Sequence, residues 1–307
     1  MPYGGNLHIN KALTNISVMY KNAEFIGEEL LQNVPVKKES DIYYVWNRDF
    51  RIEDTLRQIK SPANMVTWGV STASYVMNEY ALADVVTDRE IDNADSPFRL
   101  KADTTEFLTE KILLDKEKRI ADLMFTTGTW GNNASLDTAS AWIYNTTTSA
   151  PIQNMLSATG LILRESGKMP NTGILGWEVF EALKENPNIY NRIQYVERAF
   201  LTKDILAAAF DLEKIFVGKA YYDPNREGIA ESMTALWGDY AWIGYINPSM
   251  GLRQVSAAIN ITKTKGNVVK SWRDNDIDGE KIQVSQMSVP KAVATSCAFI
   301  FSSVTTI

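Results

Sequence analysis

The residue types that most often carry catalysis or bind metals are sparse in this chain of 307 residues. His8 is the only histidine, and it stands near the N-terminus. Histidine-assisted nucleophiles and histidine metal sites both need an imidazole that is held beside its partners. The 37 acidic residues keep carboxylate chemistry open, but no pair of them stands in a glycine-bounded loop. The sequence therefore predicts no catalytic residue, no cofactor and no metal ligand.

The stretch from Gly160 to Lys168 has a superficial likeness to a phosphate-binding loop. That motif needs four residues between its two glycines, whereas six separate Gly160 from Gly167 here. Met169 also replaces the Ser or Thr that would bind magnesium. A helix that ends in a glycine cap explains the same residues better, so we reject a nucleotide site at this position.

Asp274 to Gly279 resembles the opening of a helix–loop–helix calcium site. The twelfth position of such a loop would be Ser285 instead of a bidentate glutamate, and the flanks have the pattern of strands. Asp278-Gly279 between two strands is a common hairpin-turn pair. A hairpin turn is therefore the preferred interpretation, and cation binding by Asp274 to Asp278 stays an open alternative.

Composition places the chain among ordinary globular proteins, with 45% hydrophobic and 22% charged residues. The net charge is -6, and the chain lacks the basic stripe of a folded nucleic-acid reader, so any contact with DNA is expected to be loose. No apolar run approaches the roughly 20 residues of a membrane helix, and residues 1–30 lack the pattern of a signal peptide. Cys297, the only cysteine, is expected to be a small buried hydrophobe in a chain that assembles in a reducing cytoplasm.

Apolar spacing predicts five helices, which cover residues 11–32, 97–125, 151–166, 177–185 and 203–210. In the long helix the predicted buried stripe is Leu100, Phe107, Leu114, Ala121 and Phe125, widened by Leu113, Ile120 and Met124. Its charged residues, Lys116 and Glu117 among them, are assigned to solvent. In the helix that starts at Pro151 the predicted stripe is Ile152, Met155, Leu156, Thr159 and Leu163.

Strand-like stretches alternate with the shorter helices and then close the chain. They cover residues 172–176, 214–222, 234–246, 255–262, 268–272, 281–286 and 292–304. The part from about 148 onwards therefore reads as a compact α/β segment followed by β structure.

Residues 40–82 predict a long two-stranded hairpin. Its first strand starts with Ile42–Trp46, and its second runs over Met65–Met77. The first strand is apolar on both faces, because Ile42, Tyr44 and Trp46 alternate with Tyr43 and Val45. A lone two-stranded ribbon is marginal in water, so it needs a covering surface. That surface is either the chain's own core or a neighbouring subunit, and we favour the neighbour.

The order and spacing of several short motifs, rather than any one of them, resemble one branch of tailed-phage capsid proteins over nearly the whole chain. The motifs are Leu13-Thr14-Asn15, Phe25-Ile26-Gly27, Val34-Pro35-Val36-Lys37, Tyr80-Ala81-Leu82-Ala83, Lys168 to Gly176, Glu178 to Leu183, Leu206 to Phe210, Ile215 to Ala220 and Leu236-Trp237-Gly238. The order of the predicted elements is likewise similar to the Hong Kong 97-type capsid fold. Tailed-phage capsids, herpesvirus capsid floors and encapsulin shells share that fold.

The resemblance implies an α+β fold with five parts. They are an N-terminal arm (1–38), an extended β-hairpin loop (39–82), a peripheral domain with a long spine helix (83–147), an axial α/β domain (148–264) and closing strands of the peripheral domain (265–307). Many relatives carry a long N-terminal scaffolding segment, whereas the arm begins almost at Met1 here. Scaffolding is therefore expected from a separate protein or from a segment already removed.

The resemblance also implies a structural major capsid protein, not an enzyme, that self-assembles through hexamers and pentamers into an icosahedral shell. The implied partners are copies of the chain, a scaffolding protein, a portal, an optional decoration protein, and double-stranded DNA that is enclosed without specific binding. No membrane is implied, and the shell is expected in the virion after assembly in the host bacterial cytoplasm. The predicted inter-subunit residues lie on the hairpin and on the turn at 273–279. They are Tyr44, Trp46, Phe50, Trp68, Val70, Tyr75, Arg273 and Asp276.

Three other functions stay open on the sequence alone. An encapsulin-like shell has the same fold and differs in its cargo, which is protein. A soluble carboxylate-dependent hydrolase predicts a monomer or small oligomer with an acidic cleft. A calcium-dependent binding module depends on the carboxylates of Asp274 to Asp278.

Overall fold

The structure is a computed structural model. It describes residues 25–46, 52–57, 59–60, 62–67, 69–94, 99–143, 148–193, 201–226, 228–249, 255–264 and 268–305.

Seven α-helices occur in the described part of the chain. They are α1 (Gly27–Leu30), α2 (Asp88–Asp92), α3 (Leu100–Met124), α4 (Pro151–Ser166), α5 (Trp177–Glu185), α6 (Pro187–Ile193) and α7 (Lys203–Ala209). Short 3-10 turns cover Thr127–Thr129 and Thr295–Cys297.

The strands of the described residues run in chain order from β1 to β14. They are β1 (Asn33–Val36), β2 (Ser40–Trp46), β3 (Val70–Val76), β4 (Glu79–Thr87), β5 (Asn132–Ser135), β6 (Thr172–Gly176), β7 (Lys214–Gly218), β8 (Tyr221–Tyr222), β9 (Thr234–Ala235), β10 (Tyr240–Gly244), β11 (Ala258–Lys263), β12 (Val268–Asp274), β13 (Gly279–Ala292) and β14 (Ala298–Ser302).

One sheet is organised around the long strand β13. Its first half pairs with β12 on one side and β4 on the other, and its second half pairs with β11, which in turn pairs with β1. The spine helix α3 lies on one face of this sheet. Leu108 and Ile112 of the helix pack there against Val86, Ile282 and Val284. This layer joins β4, α3, β12 and β13 of the predicted peripheral domain with β1 of the predicted arm and β11 of the predicted axial domain.

A second sheet has the order β5-β14-β10-β6-β7 and carries the two largest cores. Alternate residues of each strand point to opposite faces. Leu175, Ile243 and Phe299 pack against helices α4 to α7 on one face. Ile174, Trp242 and Ile300 pack on the other face, with Ile120 and Met124 at the end of the spine helix. Cys297 is buried in this second core, as the sequence predicted.

The predicted positions of most regular elements are confirmed. β6 and α5 have the predicted bounds, α3 covers the described part of the predicted spine helix, and β12 and β13 flank a hairpin turn. α4 ends at Gly167, whose φ of 64° and N–H bond to the Leu163 carbonyl form the predicted glycine cap. Of the predicted helix over 11–32, only the end lies in the described residues, and there α1 covers four residues.

The predicted buried stripes of two helices were partly wrong. On α3, Phe107 is exposed, and the buried residues include Leu108, Ile112, Lys116 and Glu117. On α4, Leu156 and Leu163 are exposed, and Ala158 and Ile162 are buried instead. In both helices the sheet beneath buries a face that is rotated from the one that the largest side chains favoured.

Four strand predictions also need correction. The predicted strands 214–222 and 234–246 are each divided, the first into β7 and β8 and the second into β9 and β10. The second hairpin strand starts at Val70, and the described residues from Met65 to Thr67 are in no strand. The register pairs Val70 with Trp46, so the residues that could pair with an earlier start lie in 47–51, outside the described part. The closing stretch 292–304 is divided, because the 3-10 turn Thr295–Cys297 separates β13 from β14.

Candidate assembly interface

The hairpin of β2 and β3 has two faces of different character. Its antiparallel register runs from the Ser40–Val76 pair to the Trp46–Val70 pair. Residues that pair directly share a face, and successive pairs alternate between faces. The pairing therefore divides the hairpin into an outer face and an inner face.

The outer face consists of the pairs Ser40–Val76, Ile42–Ser74, Tyr44–Thr72 and Trp46–Val70. None of these eight residues is charged. Ile42, Tyr44 and Val76 are exposed by 63%, 69% and 62%, respectively. Of Trp46 and Val70 the structure describes the backbone only, which places both at the far end of this face. An uncharged and largely apolar strip in water is typical of a contact surface.

The inner face lies on the chain's own core at its base. Tyr75 is 6% exposed, and it packs with Met77, Ile259 and Ile261. Its hydroxyl donates to the Lys38 carbonyl oxygen at 3.3 Å. At this face the chain's own core supplies the cover, so the preference for a neighbour was wrong here, and Tyr75 belongs to the interior of its own subunit.

The connector beyond the paired strands is exposed. Its large apolar side chains in the described part reach solvent almost completely, namely Ile52, Leu56, Ile59 and Met65. Phe50 and Trp68, two of the predicted inter-subunit residues, lie outside the described residues.

The turn between β12 and β13 is fixed to helix α2. Arg273 donates to both carboxylate oxygens of Asp88, at 2.9 Å and 2.6 Å, and the Asp88 amide donates to the Asp278 carbonyl at 2.9 Å. The guanidinium hydrogen bonds hold the pKa of the Asp88 carboxyl below its usual range. Asp276 is exposed at the tip, and its amide donates to the Asp274 carboxylate at 3.2 Å. Arg273 therefore holds the shape of the turn and leaves the tip to Asp276.

Sequence reasoning missed two outer-face residues, Ile42 and Val76, as interface candidates. Ile42 was seen as part of the apolar strand, but Val76 was hidden because its face depends on the register with Ser40. Counting alternate residues from Ile42 and Tyr44 could have placed Val76 on this face only if the loop length, which sets the register of the hairpin, had been known.

Sequence reasoning also assigned Lys116 and Glu117 to solvent, and the structure buries both. Glu117 accepts hydrogen bonds from three donors on two distant segments. The hydrogen-bond partners of Glu117 are far from it in sequence, so no local pattern predicts these contacts. Only the three-dimensional structure shows that this buried charge is paired.

Neither a membrane-spanning helix nor a metal cluster is found in the part of the chain that the structure describes. No described helix combines the length and apolarity needed to cross a bilayer. No group of three or more His, Cys, Asp or Glu side chains among the described residues is placed to hold a metal ion.

Two curated proteins are similar to this chain over nearly its full length. The major capsid protein of Burkholderia phage BcepMu is 26% identical over 303 residues, which cover 96% of each protein. The major capsid protein of Pseudomonas phage JBD67 is 27% identical and covers 95% of this chain and 96% of its own length. No protein-family model matches the chain.

Solved structures share the architecture at lower identity. A phage-related protein of Bordetella bronchiseptica RB50 has a TM-score of 0.74 at 21% identity and covers 96% of this chain and 97% of its own. The capsid structure of the cyanophage P-SCSP1u has a TM-score of 0.60 at 11% identity, with 98% and 92% covered. The SrpI encapsulin of Synechococcus elongatus has a TM-score of 0.54 at 12% identity, with 89% and 85% covered. Each likeness extends over most of the chain rather than over one domain.

Proposed function

Because this chain is a structural capsid protein with the Hong Kong 97-type fold, and not an enzyme, we propose that it builds an icosahedral phage head through hexamers and pentamers. Its two curated relatives are phage major capsid proteins over 96% and 95% of the chain, so the chain is a component of a virion shell made of its own copies. The route through two kinds of ring is the proposed part, since rings formed by rotation tile a closed surface.

The observation that carries the proposal is the uncharged outer face of the hairpin. Ile42, Tyr44 and Val76 stand exposed on it, and none of the eight paired residues carries a charge. A two-stranded ribbon gains little stability alone, so a surface that covers it adds apolar burial to each subunit. We assign that cover to the neighbouring copy within the ring. The hairpin residues Trp46, Val70, Phe50 and Trp68 are proposed to take part in the same contact.

The domain assignment predicted from the sequence is part of this proposal. The hairpin loop (39–82) reaches the neighbour, and the axial domain (148–264) lies towards the ring axis. The spine helix and the closing strands β12 and β13 form the periphery, whereas the last strand, β14, lies in the second sheet beside β10. We expect an obligate contact of about 2,000–5,000 Å², more apolar than a transient one.

The turn at 273–279 is proposed as a contact between rings. It is a tight hairpin end that is held to α2 by the Arg273–Asp88 ion pair, and Asp276 is exposed at its tip. A turn whose backbone is fixed in advance loses little conformational entropy when it meets a partner. Asp276 is the residue proposed to reach the partner, and Arg273 holds the turn in place.

The contents and partners of the shell are part of the proposal. The net charge of -6 suits enclosure of double-stranded DNA without tight binding. A separate scaffolding protein, a portal and an optional decoration protein complete the assembly, which takes place in the cytoplasm of the bacterial host. An encapsulin-like cargo shell is the less supported alternative, because the likeness to an encapsulin is one of fold alone.

The direct test is expression of the chain in bacteria, followed by sedimentation velocity and negative-stain electron microscopy. We expect fast-sedimenting rings or closed shells of uniform diameter. A single slow species that stays monomeric at high protein concentration contradicts the proposal. Nucleic acid inside the shells favours a phage head, whereas a defined protein cargo favours the encapsulin alternative.

A further inference from the structure

A buried carboxylate joins three parts of the subunit that are far apart in sequence. Glu117 lies near the C-terminal end of the spine helix α3 and is 2% exposed. On one side it faces the segment that leads into the hairpin, and on the other it faces Trp237, which follows β9. An acidic residue is almost never buried in this way without partners.

Three N–H donors converge on this carboxylate. The amides of Ile26 and Gly27 donate to its two oxygens at 2.9 Å and 2.8 Å. The Trp237 indole N–H donates at 2.9 Å to the same oxygen as Ile26. Helix α1 begins at Gly27 and has no side-chain cap of its own, so Glu117 supplies the acceptor that a helix N-terminus needs.

The neighbouring residue on the spine helix strengthens the same contact. The Lys116 side chain is 3% exposed, and its ammonium group lies 2.7 Å from a carboxylate oxygen of Glu28. The space is also closely fitted, since a Cβ atom at Gly27 would lie 2.5 Å from Glu117 Oε2 and 2.8 Å from Ile120 Cδ1. Two successive residues of the spine helix thus hold two successive residues of α1.

The held segment leads directly to the hairpin. Leu31 follows α1, and strand β1 then pairs in parallel with β11 through the Asn33–Asn260 pair. The hairpin starts at Ser40, only a few residues later. The direction in which the hairpin leaves the subunit is therefore set at its root by β1 and by the α1–spine contact.

We propose that Glu117 is a positioning residue for assembly, which fixes the angle of the hairpin root relative to the spine helix and the axial domain. This inference rests on the proposed self-assembly. The angle at the root determines where the outer face of the hairpin meets the next copy, and hence the curvature of the ring. Glu117 itself is not proposed to touch another subunit.

The chemistry of the site favours a role in geometry over a role in stability. Burial raises the pKa of Glu117, although the hydrogen bonds from Ile26, Gly27 and Trp237 and the charge of Lys116 lower it. A buried charge with a raised pKa is held in its ionised form at a free-energy cost, and a neutral residue would avoid that cost. Three directional hydrogen bonds fix an angle more sharply than an apolar contact does.

The test compares Glu117→Gln with the full-length wild-type chain, and uses Glu106→Gln as the matched control. Glu106 is an exposed glutamate on the same helix, so the control makes the same chemical change at a site without these contacts. In Glu117→Gln the amide oxygen still accepts from Ile26 and Trp237, but the NH₂ group opposes the Gly27 amide. Gly27→Ala crowds the same contact from the side of α1, because the added Cβ would lie 2.5 Å from Glu117 Oε2, and it keeps a glutamate at position 117.

Two readouts separate positioning from plain stability. Hydrogen exchange at the Ile26 and Gly27 amides is expected to be about tenfold faster or more in Glu117→Gln. Electron microscopy is expected to show particles of mixed diameter, open tubes or unassembled folded subunits for Glu117→Gln and Gly27→Ala, and uniform wild-type particles for Glu106→Gln.

Uniform particles of wild-type diameter from Glu117→Gln, even in lower yield, overturn the inference, because a purely structural residue changes yield and not shape. If Glu117→Gln does not fold, Trp237→Phe removes one of the three hydrogen bonds and is judged by the same particle shapes. A wild-type chain that forms no shells at all contradicts the proposed function itself, so the two failures are told apart.

Discussion

Replacing Tyr44 by serine tests the outer face of the hairpin with little effect on the single subunit. Tyr44 is 69% exposed, and its paired residue is Thr72, so a hydroxyl side chain suits the position in the free chain. A tyrosine buries roughly 150–250 Å² when it is fully covered, which leaves about 100–170 Å² available to a neighbour. At about 25 cal/mol per Å², that area is worth about 2.5–4 kcal/mol in each contact.

The expected consequence is a large rise in the protein concentration at which assembly starts. Since about 1.4 kcal/mol corresponds to a factor of ten, each hairpin contact is expected to weaken on the order of 10²-fold. Light scattering and sedimentation over a concentration series measure this threshold. Thermal unfolding of the unassembled chain checks that Tyr44→Ser leaves the fold unchanged, since exposed substitutions usually change stability by less than about 0.5 kcal/mol.

Tyr190→Ser is the matched control, because Tyr190 is a tyrosine with a similar exposure of 57% on helix α6, away from the hairpin. It is expected to assemble at nearly the wild-type concentration. If Tyr44→Ser assembles at the wild-type concentration as well, a neighbour does not cover the outer face, and the proposed contact is wrong.

Three further predictions follow from the same structure. Burial raises the pKa of the Glu117 carboxyl above its usual 4.5. The contribution of this carboxyl to the free energy of unfolding is therefore fully present below pH 4.5 and is lost as the pH rises through the raised pKa. The melting temperature of Glu117→Gln minus that of wild type is thus expected to grow from about pH 4 to about pH 7, and a constant or falling difference contradicts this. Asp88→Asn is expected to lower the melting temperature slightly at low ionic strength and not in high salt, because salt screens the exposed ion pair of Asp88 with Arg273. An equal loss in both buffers would show that the ion pair is not the cause. In denaturant titrations, Ile162→Ala is expected to lose about 2–5 kcal/mol and Leu163→Ala less than about 0.5 kcal/mol, and similar losses would return Leu163 to the buried face.

Elements whose signals are local could be predicted from the sequence. β6 and α5 have the expected bounds because a short apolar strand, Thr172–Gly176, is followed at once by an amphipathic helix that starts at Trp177. The hairpin was predicted because two nearby stretches both have the apolar pattern of a strand, and strands that are close in sequence commonly pair with each other.

Elements whose cause is distant were missed. β4 was not expected because its residues alternate poorly, and it is a strand only through its pairing with β13, nearly 200 residues later. Helix α6 was not expected: α5 ends at Glu185 as predicted, and Pro187 is the first residue of the next helix, where its missing N–H is not needed. Asn186 caps that helix by accepting from the Asn188 amide at 3.0 Å.

The residues of the candidate interface likewise divide into those with a local sequence signal and those without one. Tyr44 could be predicted from strand alternation, and the structure places it on the exposed outer face. Tyr75 was included on the same pattern, but Ile259 and Ile261 of β11 cover it, and no local signal announces that contact. Lys116 and Glu117 resembled solvent-facing charges for the same reason.

An electron cryomicroscopy map of the assembled shell would show directly whether a neighbouring copy covers the outer face of the hairpin. Around Tyr44 and Ile42, we expect side-chain density from the neighbouring copy within about 4.5 Å, with little solvent between the two surfaces. A shell in which this face of the hairpin points into solvent, while other surfaces join the subunits, would show that the outer face is not an assembly contact.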